Sequence, residues 1–168
     1  ASVSKLVHAH FPIVGDVKNV LEQMIPLAKE QIDPARYASW HNTIANFNKL
    51  HPLSYKEEGD RLKPQWVVER IGQLLGDDAN ISTDVGQHQM WTAQFYPFTR
   101  PRQWVSSGGL GTMGFGFPAA MGVKRADMER VSINITGDGS ILMNIQELMT
   151  AVEYKLPVVN VILNNNFL

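Results

Sequence analysis

Gly137-Asp138-Gly139-Ser140 and Asn164-Asn165-Asn166 are the stretches of this 168-residue chain whose side chains could do chemistry together. Asp138 and Asn165 stand 27 positions apart, each just behind an apolar run. One carboxylate, one amide oxygen and a nearby backbone carbonyl suit a hard cation. Mg2+ takes few protein ligands and completes its octahedron with water and phosphate oxygens. The glycines flanking Asp138 let backbone approach a diphosphate closely. Taken alone, Gly-Asp-Gly is an ordinary turn after a strand. The joint occurrence, with one helix's worth of sequence between the halves, favours a metal–diphosphate site.

For the two halves to meet, they must leave neighbouring strands at the same edge of a sheet. Four apolar runs read as strands: 80–85, 104–107, 131–136 and 158–163. Helical spacing fits between them at about 88–95, 113–124 and 144–155. That alternation predicts an α/β fold with a mostly parallel sheet covered by helices on both faces. Glycines follow the strands at Gly86, Gly108-Gly109 and Gly137/Gly139, where open α/β sheets bind ligands. Asn144 with Glu147 three positions on predicts a capping box opening the last of these helices.

Upstream, Val67, Val68, Ile71, Leu74 and Leu75 predict a helix from Pro64, closed by Gly76-Asp77-Asp78. Residues 5–14 alternate and predict a short strand ending in the turn Gly15-Asp16. Asp16 then caps a helix carrying Val17, Val20, Leu21 and Met24, which Pro26 is expected to kink or end early. Asp33 and Pro34 open a second helix with Tyr37, Trp40, Ile44 and Phe47 on one face. The polar stretch 51–63 is the expected linker between residues 1–50 and 64–168.

Composition narrows the function classes. Hydrophobic residues make up 44 % and charged residues 18 %, which describes a globular chain. Fifteen basic against 16 acidic side chains leave no excess to bind nucleic acid or a membrane surface. Cysteine is absent, which excludes disulfides and thiolate metal sites and fits a reducing compartment. No apolar run approaches the roughly 20 residues that span a bilayer. The first residue is not Met, and the last strand runs into three asparagines and stops. The expectation is a piece of a longer protein, truncated at its C-terminus.

Gly-Asp-Gly, about 25 residues, then Asn-Asn resembles the signature of the thiamine-diphosphate enzymes. Within them, GDGSILMNIQELMTAVEYKLPVVNVILNN is similar to the large catalytic subunits of the biosynthetic acetolactate synthases (acetohydroxyacid synthases). So are GQHQMW (86–91), RPRQW (100–104) and SSGGLGTMGFGFPAA (106–120). The likeness covers 64–168 almost continuously, and PIVGDVKNVLEQM (12–24) resembles the segment leaving the family's middle, FAD-associated domain. Catabolic, flavin-free relatives differ in GQHQMW and GGLGTMG.

The resemblance implies a transferase that uses thiamine diphosphate, Mg2+ and FAD. It decarboxylates pyruvate and joins the product to a second 2-keto acid, giving 2-acetolactate or 2-aceto-2-hydroxybutyrate for branched-chain amino acids. It further implies a homodimer or tetramer with its active site at the interface, and a possible regulatory small subunit. Neither nucleic acid nor membrane is an expected partner, and the expected location is the cytoplasm, or an organellar stroma or matrix in a eukaryote. By position, Asp138 and Asn165 correspond to the Mg2+ side-chain ligands, with the Phe167 carbonyl the third. Gln87 and His88 correspond to the pair at the diphosphate, joined by Gly139 and Ser140. Gly111, Thr112 and Met113 match the stretch beside the aminopyrimidine, Met113 being the apolar wedge that keeps the cofactor bent. Gln89, Met90 and Gly108 correspond to residues facing the flavin. The glutamate that drives ylide formation belongs to another domain in this family. No glutamate here occupies its motif, so no catalytic residue is assigned and the piece is expected to be inactive alone.

Without the resemblance, Met113 reads as core packing, His88 as a capping or surface residue, and Gln87 and Ser140 as nothing in particular. The other readings belong to different classes: another thiamine-diphosphate 2-keto acid decarboxylase or ligase, a non-catalytic binding piece, or a nicotinamide-binding oxidoreductase domain. The last rests on Gly109, Gly111 and Gly114, which match G-x-G-x-x-G, but position 134, where the fingerprint wants an acid, is Asn. His8 and His10 share a face but have no further zinc ligands nearby. His41 and His51 read as surface, and Trp40, Trp66, Trp91 and Trp104 as core or interface.

Overall fold

The computed structural model describes residues 3–57 and 59–166. The chain forms two compact units, Ala1–Pro52 and Leu53–Leu168.

In the first unit, Asp16 Oδ1 accepts the Asn19 N–H at 3.1 Å and starts α1 (Val17–Gln31). Pro26 neither kinks the helix to a stop nor shortens it, contrary to the sequence expectation. It forfeits one N–H, but the following turn is intact, and Ile32 N–H still donates to Ala28 C=O at 2.9 Å. Asp33 and Pro34 do open the next element, first as a 3₁₀ turn (Pro34–Tyr37), with α2 (Ala38–Leu50) following. The expected strand at 5–14 does not form. Its residues follow bends and irregular backbone, because alternation makes a strand only where a ladder partner accepts its hydrogen bonds. Neither α1 nor α2 buries a residue, and Trp40, Ile44 and Phe47 are exposed.

The second unit runs α3 (Pro64–Leu75), β1 (Ala79–Thr83), α4 (Gln87–Phe95), β2 (Trp104–Ser106), α5 (Gly116–Ala126), β3 (Val131–Gly137), α6 (Asp138–Leu142), α7 (Glu147–Glu153) and β4 (Val158–Leu163). The four strands are all parallel, in the order β2-β1-β3-β4. The α/β fold with a parallel sheet is the one the sequence predicts.

Alternation gives this sheet two chemically different faces. Ala79, Ile81, Ile133 and Ile135 point one way and form a core with Val68 and Tyr96, flanked by Ile71, Leu75, Trp91 and Phe95 of α3 and α4. Ser82, Ser132, Asn134 and Thr136 point the other way and are equally buried. Against that polar face lies α5. The Ser132 hydroxyl donates to Ala120 C=O at 2.8 Å, while Phe117 and Met121 make a separate core with Ile141 of α6 and Leu156. At the far end of α5, buried Lys124 donates to Met128 and Arg130 carbonyls, both at 2.7 Å, and so closes the turn into β3.

Two expectations about helix starts are corrected. Asn144 is not an N-cap; Gln146 stands there without a capping bond, and Asn144 Nδ2 instead donates to Gly114 C=O at 2.6 Å. A tertiary acceptor has outcompeted the local one. The helix expected from 113 starts at Gly116, because Gly114 sits at φ +85°, outside helical space. Moreover, α6 begins on Asp138 itself, directly behind β3. No helix among the described residues is long and apolar enough to cross a membrane.

Gly116 marks the closest approach of α5 to the sheet. A Cβ there would lie 2.4 Å from Asn134 Oδ1, 2.6 Å from Asp84 N and 2.9 Å from Thr83 C. Two of these are backbone atoms of the loop leaving β1 and cannot yield cheaply. Gly116→Ala is therefore expected to destabilise the unit by about 1–3 kcal/mol, read as a lower urea midpoint. Gly122→Ala on the same helix, where a Cβ would meet nothing within 4 Å, is the silent control.

Candidate functional site

Strand order reverses between β1 and β3. The chain leaves β1 for α4 on the apolar face, whereas it leaves β3 for α6 and α7, which pack with α5 on the other. Loops that part in this way leave a crevice at the carboxyl ends of the strands, the usual ligand site of open α/β sheets. A cavity of about 200 Å³ lies there. Gly86, Gln87 and His88 reach it from the end of β1, Gly137 to Ser140 from the end of β3, and Leu163 and Asn165 from the end of β4. Met113 enters from the loop between β2 and α5, and Val85 and Trp91 complete the wall.

Seven residues singled out in the sequence thus line one cavity: Gln87, His88, Met113, Asp138, Gly139, Ser140 and Asn165. Gly108, Gln89, Met90, Gly111 and Thr112 do not line it. Met90 is exposed and Gly108 faces open space. Gln89 is held away, its Nε2 donating to Ser106 Oγ at 2.6 Å. Gly111 and Thr112 lie beside Met113, turned by Ser107, whose carbonyl accepts Gly111 N–H and whose hydroxyl accepts Thr112 N–H, each at 3.1 Å. Phe167 lies outside the described residues. The RPRQW stretch lies at the opposite, amino end of the strands, leading into β2. There Gln103, fully buried, and Arg100 donate to the Gly76, Asp77 and Ala79 carbonyls and fix the entry to β1.

Sequence reasoning missed Asp84. It is fully buried just past β1, and its carboxylate accepts from Val85 N–H, Gly114 N–H and the Thr136 hydroxyl. The available signal was an acid directly behind a short run of β-branched and small polar residues, immediately ahead of Val-Gly.

His88 sits buried in the cavity wall. It is 6 % exposed, and its ring is pressed between two glycines. A Cβ on Gly86 would come within 2.8 Å of its Cε1, and one on Gly137 within 3.1 Å of its Nδ1. Burial pushes its pKa below the ordinary value of 6.5, although Asp84 and Asp138 oppose the shift, Asp84 also through a backbone hydrogen bond. Its Nε2 is buried and has no hydrogen-bond partner. A buried polar atom without a partner costs free energy; a phosphate oxygen only accepts, so it satisfies Nε2 when that nitrogen carries the ring proton. Ser140 is committed elsewhere, its hydroxyl donating to Val85 C=O at 3.2 Å and tying the loops after β1 and β3 together.

The donor set fits a diphosphate held through one divalent ion. Asp138 contributes a carboxylate, Asn165 an amide and His88 an unsatisfied nitrogen, with glycine backbone on both sides. Among the described residues, no three His, Cys, Asp or Glu side chains gather as a metal cage. An ion relying on phosphate and water for the rest of its shell needs none. The nicotinamide fingerprint fares worse. It calls for a tight strand-to-helix turn, and here the whole loop 107–115 separates β2 from α5.

Residues 84–168 match the family model of the thiamine pyrophosphate enzymes' C-terminal TPP-binding domain. The chain is 51 % identical to an acetolactate synthase large subunit of Buchnera aphidicola, over 99 % of this chain and 29 % of the relative. It is 50 % identical to the acetolactate synthase isozyme 3 large subunit of Escherichia coli, over 99 % of this chain and 30 % of that protein. The chloroplastic acetolactate synthase of Arabidopsis thaliana is 42 % identical, over all of this chain and 25 % of its own length. The chain therefore spans less than a third of the curated relatives it matches.

The depressed pKa of His88 has a measurable consequence. Below the ordinary imidazole value of 6.5, the unfolded chain takes up a proton here that the folded chain resists. Stability is unaffected by this site well above 6.5 and falls as pH drops through and below it. Urea midpoints measured between pH 7.5 and 5 should decline, and His88→Gln should decline less steeply. Equal slopes would show that the ring is not shielded as described.

Proposed function

The chain belongs to the thiamine pyrophosphate enzymes, and from that membership we propose that it is the diphosphate- and metal-binding portion of an acetolactate synthase large subunit. The carrying observation is the meeting of Gln87-His88, Asp138-Gly139 and Asn165 from three strand ends on one cavity at the strand-order reversal. High identity to large subunits of this enzyme along nearly the whole chain supports the same reading.

In this proposal Asp138 Oδ and Asn165 Oδ1 hold Mg2+, with the Phe167 carbonyl as the third protein ligand. Held there, Mg2+ would neutralise charge on the diphosphate. Gln87 and the unsatisfied His88 nitrogen meet the phosphate oxygens, and the Gly137 and Gly139 backbone keeps room for them. Met113 forms the apolar wall that shapes the bound cofactor. Thiamine diphosphate, when bound, supplies the electron sink that lets a 2-keto acid lose CO2 and be joined to another. The residues of this chain bind and orient it and contribute no proton-transfer group. Residues 1–50 are read as the end of the FAD-associated middle domain, and 51–63 as the linker. The working enzyme is a dimer or tetramer with its active site at a subunit interface, able to take a regulatory small subunit. Gln89, Met90 and Gly108 are read as facing the flavin, whose remaining contacts come mainly from parts of the protein outside this chain. Its place is the bacterial cytoplasm, or an organellar stroma or matrix in a eukaryote.

Calorimetric titration tests the reading. Thiamine diphosphate should bind with heat only when Mg2+ is present, and EDTA should abolish the signal. Asp138→Ala should weaken binding by 10-fold or more, about 1.4 kcal/mol per decade, and Asn165→Ala somewhat less. Heat with NAD and none with thiamine diphosphate would replace this function with nucleotide binding. The chain alone should form no acetolactate from pyruvate; formation of product would mean that it holds a proton-transfer group after all.

A further inference from the structure

Gly114 is gripped on both sides of its backbone. Its N–H donates to Asp84 Oδ1 at 2.7 Å, and its C=O accepts from Asn144 Nδ2 at 2.6 Å. Neither bond belongs to a helix or a sheet ladder, since residues 107–115 form a loop. The two partners arrive from different elements, Asp84 from the end of β1 and Asn144 from the stretch between α6 and α7. Asp84 is itself locked: it is fully buried, Oδ1 also accepts Val85 N–H at 3.1 Å, and Oδ2 accepts the Thr136 hydroxyl at 3.3 Å. Only glycine fits between these partners. The residue is buried at φ +85°, and a Cβ would come within 2.8 Å of Asn144 Nδ2 and 3.0 Å of Met143 Cβ.

Immediately before this gripped residue stands Met113, half-buried in the cavity wall. Methionine has three flexible side-chain torsions and no polar group to anchor it, so its pose in a loop depends on how firmly the backbone is held. Two short bonds to the next residue, one of them from a carboxylate, supply that hold. A site residue gains from being fixed before its ligand arrives, because the ordering cost then does not fall on binding.

We propose that Asp84 and Asn144 are positioning residues that act through Gly114 to hold the Met113 side chain at the cavity wall. The consequence for the cofactor rests on reading that cavity as the thiamine diphosphate site; the clamp itself does not. Asp84 and Asn144 touch neither cofactor nor metal in this scheme. Their effect reaches the cavity only by way of Met113.

Methyl NMR on the chain with 13C-labelled methionine methyls tests this, with the Met113 signal assigned through Met113→Leu. Asn144→Asp keeps the side chain's shape but sets an acceptor against the Gly114 carbonyl. It should lower the Met113 methyl order parameter relative to wild type, a fractional drop of about a third if it matches the span between rigid and flexible backbone. Met121, packed in the core under α5, should not change. Asn144→Ala, which merely deletes the donor, should act in the same direction, while Asp84→Asn, which retains an Oδ1 acceptor, should leave Met113 rigid. An unchanged Met113 in both Asn144 variants would overturn the proposal, as would equal loosening of Met113 and Met121, the mark of a general loss of packing. Adding thiamine diphosphate with Mg2+ separates the two levels. If Met113 loosens in the Asn144 variants but the wild-type signal ignores the cofactor, the clamp stands and the cavity reading fails.

Discussion

In a parallel sheet every crossover carries the chain back to the same end of the strands, so all of the loops that follow strands collect at the other end. In this chain that constraint meets a reversal of strand order between β1 and β3. The loops on either side of the reversal are pulled to opposite faces and cannot fill the space between them. Every residue of the candidate site depends on this parting. His88 is wedged between the glycines at the two strand ends, Ser140 ties the β3 loop to the β1 loop, and Asp84 ties both to the loop carrying Met113. The cavity exists because topology left a gap, and hydrogen bonds at its rim keep the gap in shape.

Much of the cofactor-binding unit was legible in the chain before any coordinates. Its strands are short runs rich in isoleucine, valine, serine and threonine, three of them followed closely by glycine, and the segments between them are long enough for crossover helices. The pairing of Asp138 with Asn165 was legible for a related reason, since one crossover of ordinary length puts consecutive parallel strands side by side. The role of Asp84 was not. Its main acceptor function is toward a peptide N–H 30 residues away, and no local pattern marks a carboxylate for that task. Asn144 misled for the converse reason. Its spacing from Glu147 looks like a cap, but Gly114 C=O lay within reach and offered a better-placed partner.

The first unit shows where periodicity alone gives out. Alternation at 5–14 and helical spacing in α1 and α2 are equally visible in the sequence, yet only the helices form. A helix closes its hydrogen bonds within itself, so an apolar stripe need not be covered for the backbone to be satisfied. Strands have no such independence. The same self-sufficiency lets α1 absorb Pro26, where a single missing donor leaves the bonds of the next turn undisturbed.

The unlike faces of the sheet bear on how the cofactor-binding unit responds to temperature. One side buries isoleucine and valine under α3 and α4, while the other buries serine, threonine and asparagine against α5. On unfolding, newly wetted hydrocarbon raises the heat capacity and newly wetted amide and hydroxyl surface lowers it. The two sides therefore pull the increment in opposite directions, and the total is smaller than a sheet of this size with two greasy faces would give. A smaller increment flattens the dome of free energy against temperature. Stability of the scaffold around the crevice then varies less steeply with temperature than two apolar faces would make it.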